Sequence, residues 1–307
     1  MIKRYYAASS DTKLEVTKKA VKGSWLHAES PTQEEIAHLV ATFKLVPGHL
    51  EDALDEDEAP RLEMEGDQMY IYTRFAVREK DGDFETVPLL IVRHKNAVIT
   101  IASRHVAALE PLTTGRISVT TTEQTRLILQ IMQRITEQYD NLIDKTSRKI
   151  KAVRQRLRTH AVTNQDFVDF VLIEDELNEF LTALQPNNAV LRRLLVGHRL
   201  VGEDQDLVED VLLMNEQSVE KCNSNIKSII GVRDAHSSIS DNSLNQTMKV
   251  LTVATLGMAI PNMIFGIYSM NVETPFQHSF GAFWIIVSFT TIVLVAVMWL
   301  GRKKNIF

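Results

Sequence analysis

The chain of 307 residues has a single cysteine, Cys222, so no disulfide can form within it. Disulfides are rare in reducing compartments, and their absence fits a cytosolic location for the bulk of the chain. The N-terminal residues MIKRYYAASSDTKLEV lack an apolar core of signal-peptide length, so we do not expect the first domain to be exported. The net charge of −5, with no long basic block, argues against nucleic acid as a partner.

Sequence signals for catalysis are equally scarce. The nine histidines show no recognisable metal-ligand spacing, Cys222 stands in no motif, and there is neither a glycine-rich phosphate loop nor a nucleophile elbow. We therefore predict that the protein is not an enzyme and uses no organic cofactor. A proton- or ATP-driven pump would need a carboxylate inside the membrane or a nucleotide site, and the sequence provides neither.

The C-terminal part lacks charge over two long stretches. No residue from Val250 to Val272 carries a formal charge, and a second apolar run, Phe280–Leu300, follows after a short loop. About 20 apolar residues are enough for a helix to cross a bilayer. The two runs predict a helical hairpin in the cytoplasmic membrane.

Basic residues flank this hairpin on one side only. Lys249 precedes the first run, and Arg302, Lys303 and Lys304 follow the second, whereas the connecting loop contains Glu273 and no lysine or arginine. Positively charged flanks are retained in the cytoplasm. We therefore expect both termini of this multi-pass protein to be cytoplasmic.

The helix that enters the membrane also has a polar face. Its members recur at steps of three and four residues, as one face of a helix requires: Asp234, Ser238, Asp241, Asn245, Met248, Thr252 and Thr255. One alternative is that the clustered Ser, Asn and Asp residues mark a loop. The other is that several copies pack side by side so that this polar stripe lines a water-filled pore. One two-helix subunit cannot enclose a pore, so that alternative requires an oligomer.

The remaining sequence predicts an α/β domain followed by long helices. Strand-like segments at Met69–Val77, Val87–Val92 and Ala97–Ile101 follow a helix ending at Phe43, for which Ser30 is the predicted N-cap. Pro186 predicts a break or bend in a later helix. The predicted organisation is an α/β domain at 1–115, a helical domain with a long stalk helix at 116–249, membrane helices at 250–272 and 281–301, an external loop at 273–280 and a basic tail at 302–307.

An acidic segment, Leu50–Glu58, has six carboxylates in nine residues. Such a run is usually a solvated helix face or loop. It could instead bind a hard cation, because Mg²⁺ and Ca²⁺ prefer carboxylate oxygens. Composition alone leaves both alternatives open.

Two segments resemble the CorA-type magnesium transporters. The family closes its first membrane helix with Tyr-Gly-Met-Asn, about two dozen residues after an Asn-x-x-Met-Lys start, and this chain has Asn245, Met248–Thr252 (MKVLT) and Tyr268–Asn271 (YSMN). The stretch from Leu50 to Tyr72 is similar to the family's LEDxL…RPKxE segment. The resemblance implies a funnel-shaped homopentamer in the lipid bilayer that transports Mg²⁺ down its gradient.

The resemblance also implies roles for particular residues. Asp234 and Asp241 would form carboxylate rings, Asn245 and Asn271 would bracket the pore, and the apolar collar between them would comprise Met248, Leu251 and Thr252. Tyr268, Ser269 and Met270 complete the motif, and Glu273 is either an attractor of cations at the outer mouth or an ordinary loop residue. Asp52, with Glu51 beside it, would bind regulatory Mg²⁺ between subunits together with Asp210.

Ser269 departs from the family, which has glycine at this position. Glycine adopts backbone angles that serine tolerates poorly, so the change could distort the ring of Asn271. Two other functions therefore remain open. One is transport of another divalent cation, Co²⁺, Ni²⁺ or Zn²⁺, and the other is a non-conducting, membrane-anchored sensor or scaffold with the same fold.

Overall fold

The computed structural model describes residues 2–9, 14–19, 21–80, 82, 84–159, 164–197, 202–273, 275 and 280–303. The chain forms two compact units, Met1–Ile230 and Gly231–Phe307. The boundary between them falls inside one long helix.

A seven-stranded sheet forms the centre of the first unit. The strands are β1 (Ile2–Tyr6), β2 (Glu15–Val16), β3 (Ser24–Glu29), β4 (Arg61–Glu65), β5 (Gln68–Arg78), β6 (Phe84–His94) and β7 (Ala97–Ala102). Their spatial order is β2-β1-β3-β7-β6-β5-β4, and all neighbours are antiparallel except β3 and β7. The three predicted strands are confirmed as β5, β6 and β7, and each extends beyond its predicted bounds; Asp81 and Asp83, between β5 and β6 in the sequence, lie outside the described residues.

Helices cover both faces of the sheet, as the alternation of side chains along β5 shows. Tyr70 and Tyr72 belong to the core beneath the short helices α1 (Gln33–Phe43) and α2 (Pro47–Asp52). Thr73 points to the opposite face, where a long helix carries Asn187. The Thr73 hydroxyl donates a hydrogen bond of 3.2 Å to Asn187 Oδ1. Successive residues of a strand point to opposite faces, so β5 serves both cores.

The N-cap of α1 is Thr32, and the prediction of Ser30 was wrong. Thr32 accepts a hydrogen bond from the Glu35 backbone N–H, and the Glu35 carboxylate accepts from the Thr32 N–H, which is a complete capping box. Ser30 instead has φ of 43° and donates its hydroxyl to the Ser103 carbonyl. The helix therefore begins where both orphan N–H groups find side-chain acceptors.

In the described part of the chain, four helices follow a short 3-10 turn at Ala107–Leu109 and the helix α3 (Glu110–Thr113). They are α4 (Gln124–Thr159), α5 (Asn164–Gly197), α6 (Glu203–Tyr268) and α7 (Ala282–Lys303). The aromatic rings of Tyr139 on α4 and Phe180 on α5 meet edge to face with centroids 5.4 Å apart. Both side chains are fully buried, so they join α4 and α5 to the sheet as one core.

Of the break or bend predicted at Pro186, the break is wrong, because α5 continues through this residue. Asn215 of α6 is fully buried beside this turn, and its Nδ2 donates to the Leu184 carbonyl and to Asn188 Oδ1, both at 2.7 Å. These bonds attach the turn of α5 around Pro186 to α6. The carbonyl that the proline leaves without its helical donor is a different one, that of Thr182, four residues back.

In the second unit, α6 contains a window long and apolar enough to cross a membrane, and no residue of that window is buried within the chain. α7 contains a shorter apolar stretch, Phe283–Trp299. α6 ends at Tyr268, and residues 269–272 continue as turns and bends. In the predicted loop 273–280 and tail 302–307, residues 274, 276–279 and 304–307 lie outside the described residues.

Candidate ion pathway and cation-binding residues

The polar stripe lies on an uninterrupted helix. α6 runs from Glu203 to Tyr268, so the alternative that residues 234–255 form a loop is wrong. Glycine and proline commonly break helices, yet α6 continues through Gly231, Gly257 and Pro261. Every member of the stripe, from Asp234 to Thr255, is exposed in the single chain.

Hydroxyl groups along this part of α6 are satisfied by their own helix. Thr252 Oγ1 donates to the Met248 carbonyl and Thr255 Oγ1 to the Leu251 carbonyl, both at 2.8 Å. Ser238 makes the same kind of bond to the Asp234 carbonyl at 3.0 Å. A hydroxyl that donates to the backbone carbonyl four residues earlier in its own helix can lie in an apolar environment without an unpaired donor.

The YSMN motif begins at the last residue of α6. The Ser269 backbone N–H donates to the Phe265 carbonyl, and its hydroxyl donates to the Gly266 carbonyl at 2.9 Å, so Ser269 caps the C-terminus of the helix. Among the described residues only Ser30 and Lys44 combine a side chain with positive φ. Ser269 therefore adopts backbone angles open to any residue. Met270, Asn271 and Glu273 follow it and are exposed, and Tyr268 is half-buried.

Several carboxylates of the acidic segment form ion pairs with arginines. Arg61 Nη2 lies 2.7 Å from Asp52 Oδ2, and Arg61 also pairs with Glu58 and Glu63. Arg104 pairs with Glu56 at 3.0 Å, and Arg74 donates to the Glu56 and Glu58 carbonyls at 2.8 and 2.7 Å. The acidic segment is therefore neither a helix face that contacts only solvent nor a group of unpaired carboxylates.

The other two predicted regulatory residues are free of such partners. Glu51 and Asp210 are both exposed, and neither makes an ion pair within the part of the chain that the structure describes. Asp52, by contrast, is half-buried at the end of α2. A cation that binds Asp52 would therefore compete with Arg61.

A cluster that the sequence analysis missed lies next to this arginine. His49, Glu63 and Glu65 bring a nitrogen and two carboxylate oxygens within 4.8 Å of one another. Part of this cluster could have been predicted, because alternate residues of a strand share one face, and in β4 these are Arg61, Glu63 and Glu65. Only the fold brings α2 and its His49 onto that face.

In a second group of histidines and carboxylates, the side chains form hydrogen bonds with one another. Glu29 accepts from His27 Nε2 at 3.0 Å, His105 Nδ1 at 2.9 Å and the Val106 backbone N–H at 2.9 Å. Burial alone would raise the pKa of the Glu29 carboxyl, but these donors outweigh it and hold the pKa far below its usual range. Hydrogen bonds to Glu29 and Glu110 raise the pKa of His105.

The architecture defines a class of protein: an α/β unit continued by one helix into an apolar membrane segment that ends in a polar motif. Comparison with known sequences identifies the family. Residues 22–303 match the family model described as "CorA-like Mg2+ transporter protein". The chain therefore belongs to that family, which confirms the predicted resemblance, magnesium transport as its function and its membrane location.

Individual relatives agree with this assignment. The chain is 24% identical over 295 residues to the "Cobalt/magnesium transport protein CorA" of Methanocaldococcus jannaschii, covering 92% of this chain and 90% of that protein. It is similar in fold to the complete structure of the CorA magnesium transporter from the same organism, with a TM-score of 0.86, 21% identity and coverage of 99% and 98%. Full-length CmaX has a TM-score of 0.78 at 18% identity, with coverage of 97% and 98%.

Proposed function

We propose that this protein forms a homopentameric, gradient-driven channel for Mg²⁺ in the cytoplasmic membrane, with both termini in the cytoplasm. The observation that carries the proposal is the exposed polar stripe of α6, which runs unbroken from Asp234 into the apolar window. Because a lone helix cannot enclose water, such a stripe lines a pore only when copies of α6 surround a common axis.

The chemistry along the stripe suits a hydrated divalent ion. Asp234 and Asp241 would place rings of carboxylates at the cytoplasmic end, which concentrate cations. Asn245 and Asn271 would offer neutral amide oxygens, which can hold Mg²⁺ through the water shell that it releases reluctantly. Met248 and Leu251 would narrow the pore between them, and Glu273 would attract cations at the outer mouth.

The motif itself is compatible with conduction despite its serine. Ser269 occupies ordinary backbone angles and bonds its hydroxyl to the helix end, so the position needs no glycine to form this turn. The ring of Asn271 would then lie directly after the C-terminus of α6, with Tyr268 and Met270 as its neighbours.

Regulation by intracellular Mg²⁺ is the second part of the proposal. Asp52 and Glu51 of one subunit and Asp210 of the next would share regulatory Mg²⁺, and its loss would leave facing carboxylates that repel one another. The exposure of Glu51 and Asp210 supports this role, since both side chains are available to a neighbouring subunit. Breaking these contacts would loosen the closed array and allow the pore to fill with water.

The test is Mg²⁺ influx into liposomes that carry the purified protein. We expect flux in the parent and in Ser269→Gly, and its loss in Asn271→Ala. Flux that survives Asn271→Ala would contradict a pathway through the motif. Absence of flux in the parent together with flux in Ser269→Gly would indicate a silenced transporter, and absence in all three would favour the scaffold function.

A matched pair of cysteine variants tests which face of α6 lines the pore. Thr252 lies on the stripe and Thr247 on another face, and both hydroxyls bond back to their helix in the same way, at 2.8 and 2.9 Å. A methanethiosulfonate reagent should block flux through Thr252→Cys and leave Thr247→Cys conducting. Equal block of both variants would contradict the assignment of this face.

A further inference from the structure

His49, Glu63 and Glu65 come together where α2 crosses the edge of the sheet. His49 Nε2 lies 3.8 Å from Glu63 Oε2 and 4.0 Å from Glu65 Oε1. Bonds from Zn²⁺ to imidazole nitrogen and carboxylate oxygen are each about 2.0–2.2 Å long, so the tetrahedral ligands of one ion lie about 3.4 Å apart. The three ligand atoms lie within 4.8 Å of one another, so an ion would have to draw them together, and the half-exposed Glu65 is the side chain with room to move.

The Tyr72 hydroxyl lies between two groups of His49, the backbone carbonyl at 3.1 Å and Nδ1 at 2.8 Å. When the hydroxyl donates its single proton to the carbonyl, its oxygen accepts from Nδ1–H, and in that tautomer the lone pair is on Nε2, the atom that faces the two carboxylates. A metal ion at Nε2 requires this tautomer.

The imidazole is buried and held in place. The His49 side chain is 8% exposed, and its ring stacks on Tyr70 with centroids 4.0 Å apart. Among the hydrogen bonds of the described residues none uses Nε2, because the carboxylates lie beyond hydrogen-bond distance. The Nε2 atom of a side chain that is nine-tenths buried is thus aimed, without a hydrogen bond, into the space between two acidic groups.

The two glutamates differ in how firmly they are placed. Glu63 is fixed from behind, because its Oε1 accepts from Arg61 while its Oε2 faces His49. Glu65 is about half exposed and has room to adjust its distance to an ion. Water can reach the same side, so the solvent can supply a fourth ligand.

We propose that His49, Glu63 and Glu65 form a binding site for a Zn²⁺-like transition-metal cation in the N-terminal unit. One imidazole and two carboxylates are a common ligand set for Zn²⁺, whereas Mg²⁺ takes oxygen ligands. The hydrogen bond from Nδ1 to Tyr72 is the outer contact that metal-bound histidines commonly make. The site is separate from the residues proposed for Mg²⁺ and does not depend on that proposal.

Titration of the full-length protein in detergent with Zn²⁺, in the presence of excess Mg²⁺, tests this site. The Mg²⁺ occupies sites made of oxygen ligands alone and leaves a histidine-containing site free. We expect one saturable Zn²⁺ per chain by isothermal titration calorimetry, and at least a tenfold weaker affinity in His49→Ala and in Glu65→Gln. His38→Ala and Glu34→Gln, which change exposed residues of α1, should bind as the parent does.

Because His49 is buried, its variant could fail to fold, and two further measurements cover that case. Glu65→Gln changes an exposed side chain and should weaken binding with an unchanged circular dichroism spectrum. X-ray absorption of the Zn²⁺ complex should show one imidazole in the first shell, and Tyr72→Phe should weaken binding by about 10- to 100-fold. Absence of saturable binding in the parent, equal affinity in Glu65→Gln and Glu34→Gln, or a first shell without imidazole would each overturn the proposal.

Discussion

Arg61 Nη2 and Asp52 Oδ2 form an ion pair at 2.7 Å, so the carboxylate proposed to sense Mg²⁺ is already paired within its own subunit. The guanidinium of Arg61 also lies over the ring of Tyr72, 3.9 Å from its centroid, which restricts its movement. A regulatory ion would have to share or displace this partner. Arg61 would thereby set how much Mg²⁺ the sensor needs.

Replacement of Arg61 by glutamine should therefore tighten Mg²⁺ binding at the proposed sensor. Removal of one positive charge beside Asp52 should raise the affinity by about tenfold, equivalent to about 1.4 kcal/mol. The measurement is the shift of the thermal midpoint with Mg²⁺ concentration in detergent. Arg104→Gln is the matched control, because it removes an arginine that pairs with Glu56 but not with Asp52. A Mg²⁺ dependence of Arg61→Gln equal to that of the parent would contradict a competing role for Arg61.

The hydrogen bonds of Glu29 predict a pH dependence of stability with two limbs. The folded-state pKa of Glu29 is lowered from 4.5, so its contribution is present above about pH 4.5 and is lost as the pH falls further. The pKa of His105 is raised above 6.5, so its contribution is complete below about pH 6.5 and is lost as the pH rises through the raised value. Both contributions coexist between about pH 5 and 6.5.

Two variants separate the acid and the alkaline parts of this pH dependence of stability. The midpoint difference between the parent and Glu29→Gln should shrink towards acid pH, and the difference between the parent and His105→Gln should shrink towards alkaline pH. Glu34→Gln, on an exposed position of α1, provides the baseline for loss of a carboxylate. Differences that stay constant from pH 4 to 8 would show that these ionisations are not coupled to folding.

Asn215→Leu should destabilise the N-terminal unit. The change removes two donors at once and leaves the buried Leu184 carbonyl and the Asn188 amide without this partner. A buried polar group left unsatisfied costs about 1–3 kcal/mol, which should appear as a lower free energy of unfolding in denaturant titrations. Ser224→Ala, an exposed position on the same helix, should change stability little. A loss no larger than that of Ser224→Ala would mean that these two hydrogen bonds do not stabilise the N-terminal unit.

Cys222 should be inert in the folded protein. Burial, with a further contribution from Glu176, raises the pKa of its thiol to about 12. The reactive thiolate is therefore scarce at neutral pH, and the sulfur is shielded by packing. Labelling with a thiol reagent should be negligible until denaturant unfolds the first unit and should then reach one group per chain. Rapid labelling of the native protein would contradict this burial.

Local patterns carried the prediction of the membrane helix and its polar stripe. Steps of three and four residues place Asp234, Asn245 and Thr252 on one helix face whatever surrounds them, and the absence of charge from Val250 to Val272 is a property of composition. Three of the strands, β5, β6 and β7, were also predicted, although β5 and β7 do not alternate between buried and exposed residues, because helices cover both faces of the sheet. These features depend on neighbours within a few residues, which the sequence contains in full.

The sequence by itself thus determined the family, the stripe and the span, whereas the tertiary structure decided which side chains meet. The pairing of Asp52 with Arg61 and the approach of His49 to Glu63 and Glu65 depend on α2 folding over β4, and Asn215 reaches the Pro186 turn from another helix. Propensity and periodicity describe a segment by its own residues. The partners of a carboxylate or an imidazole come from segments distant in sequence, so only the folded chain defines them.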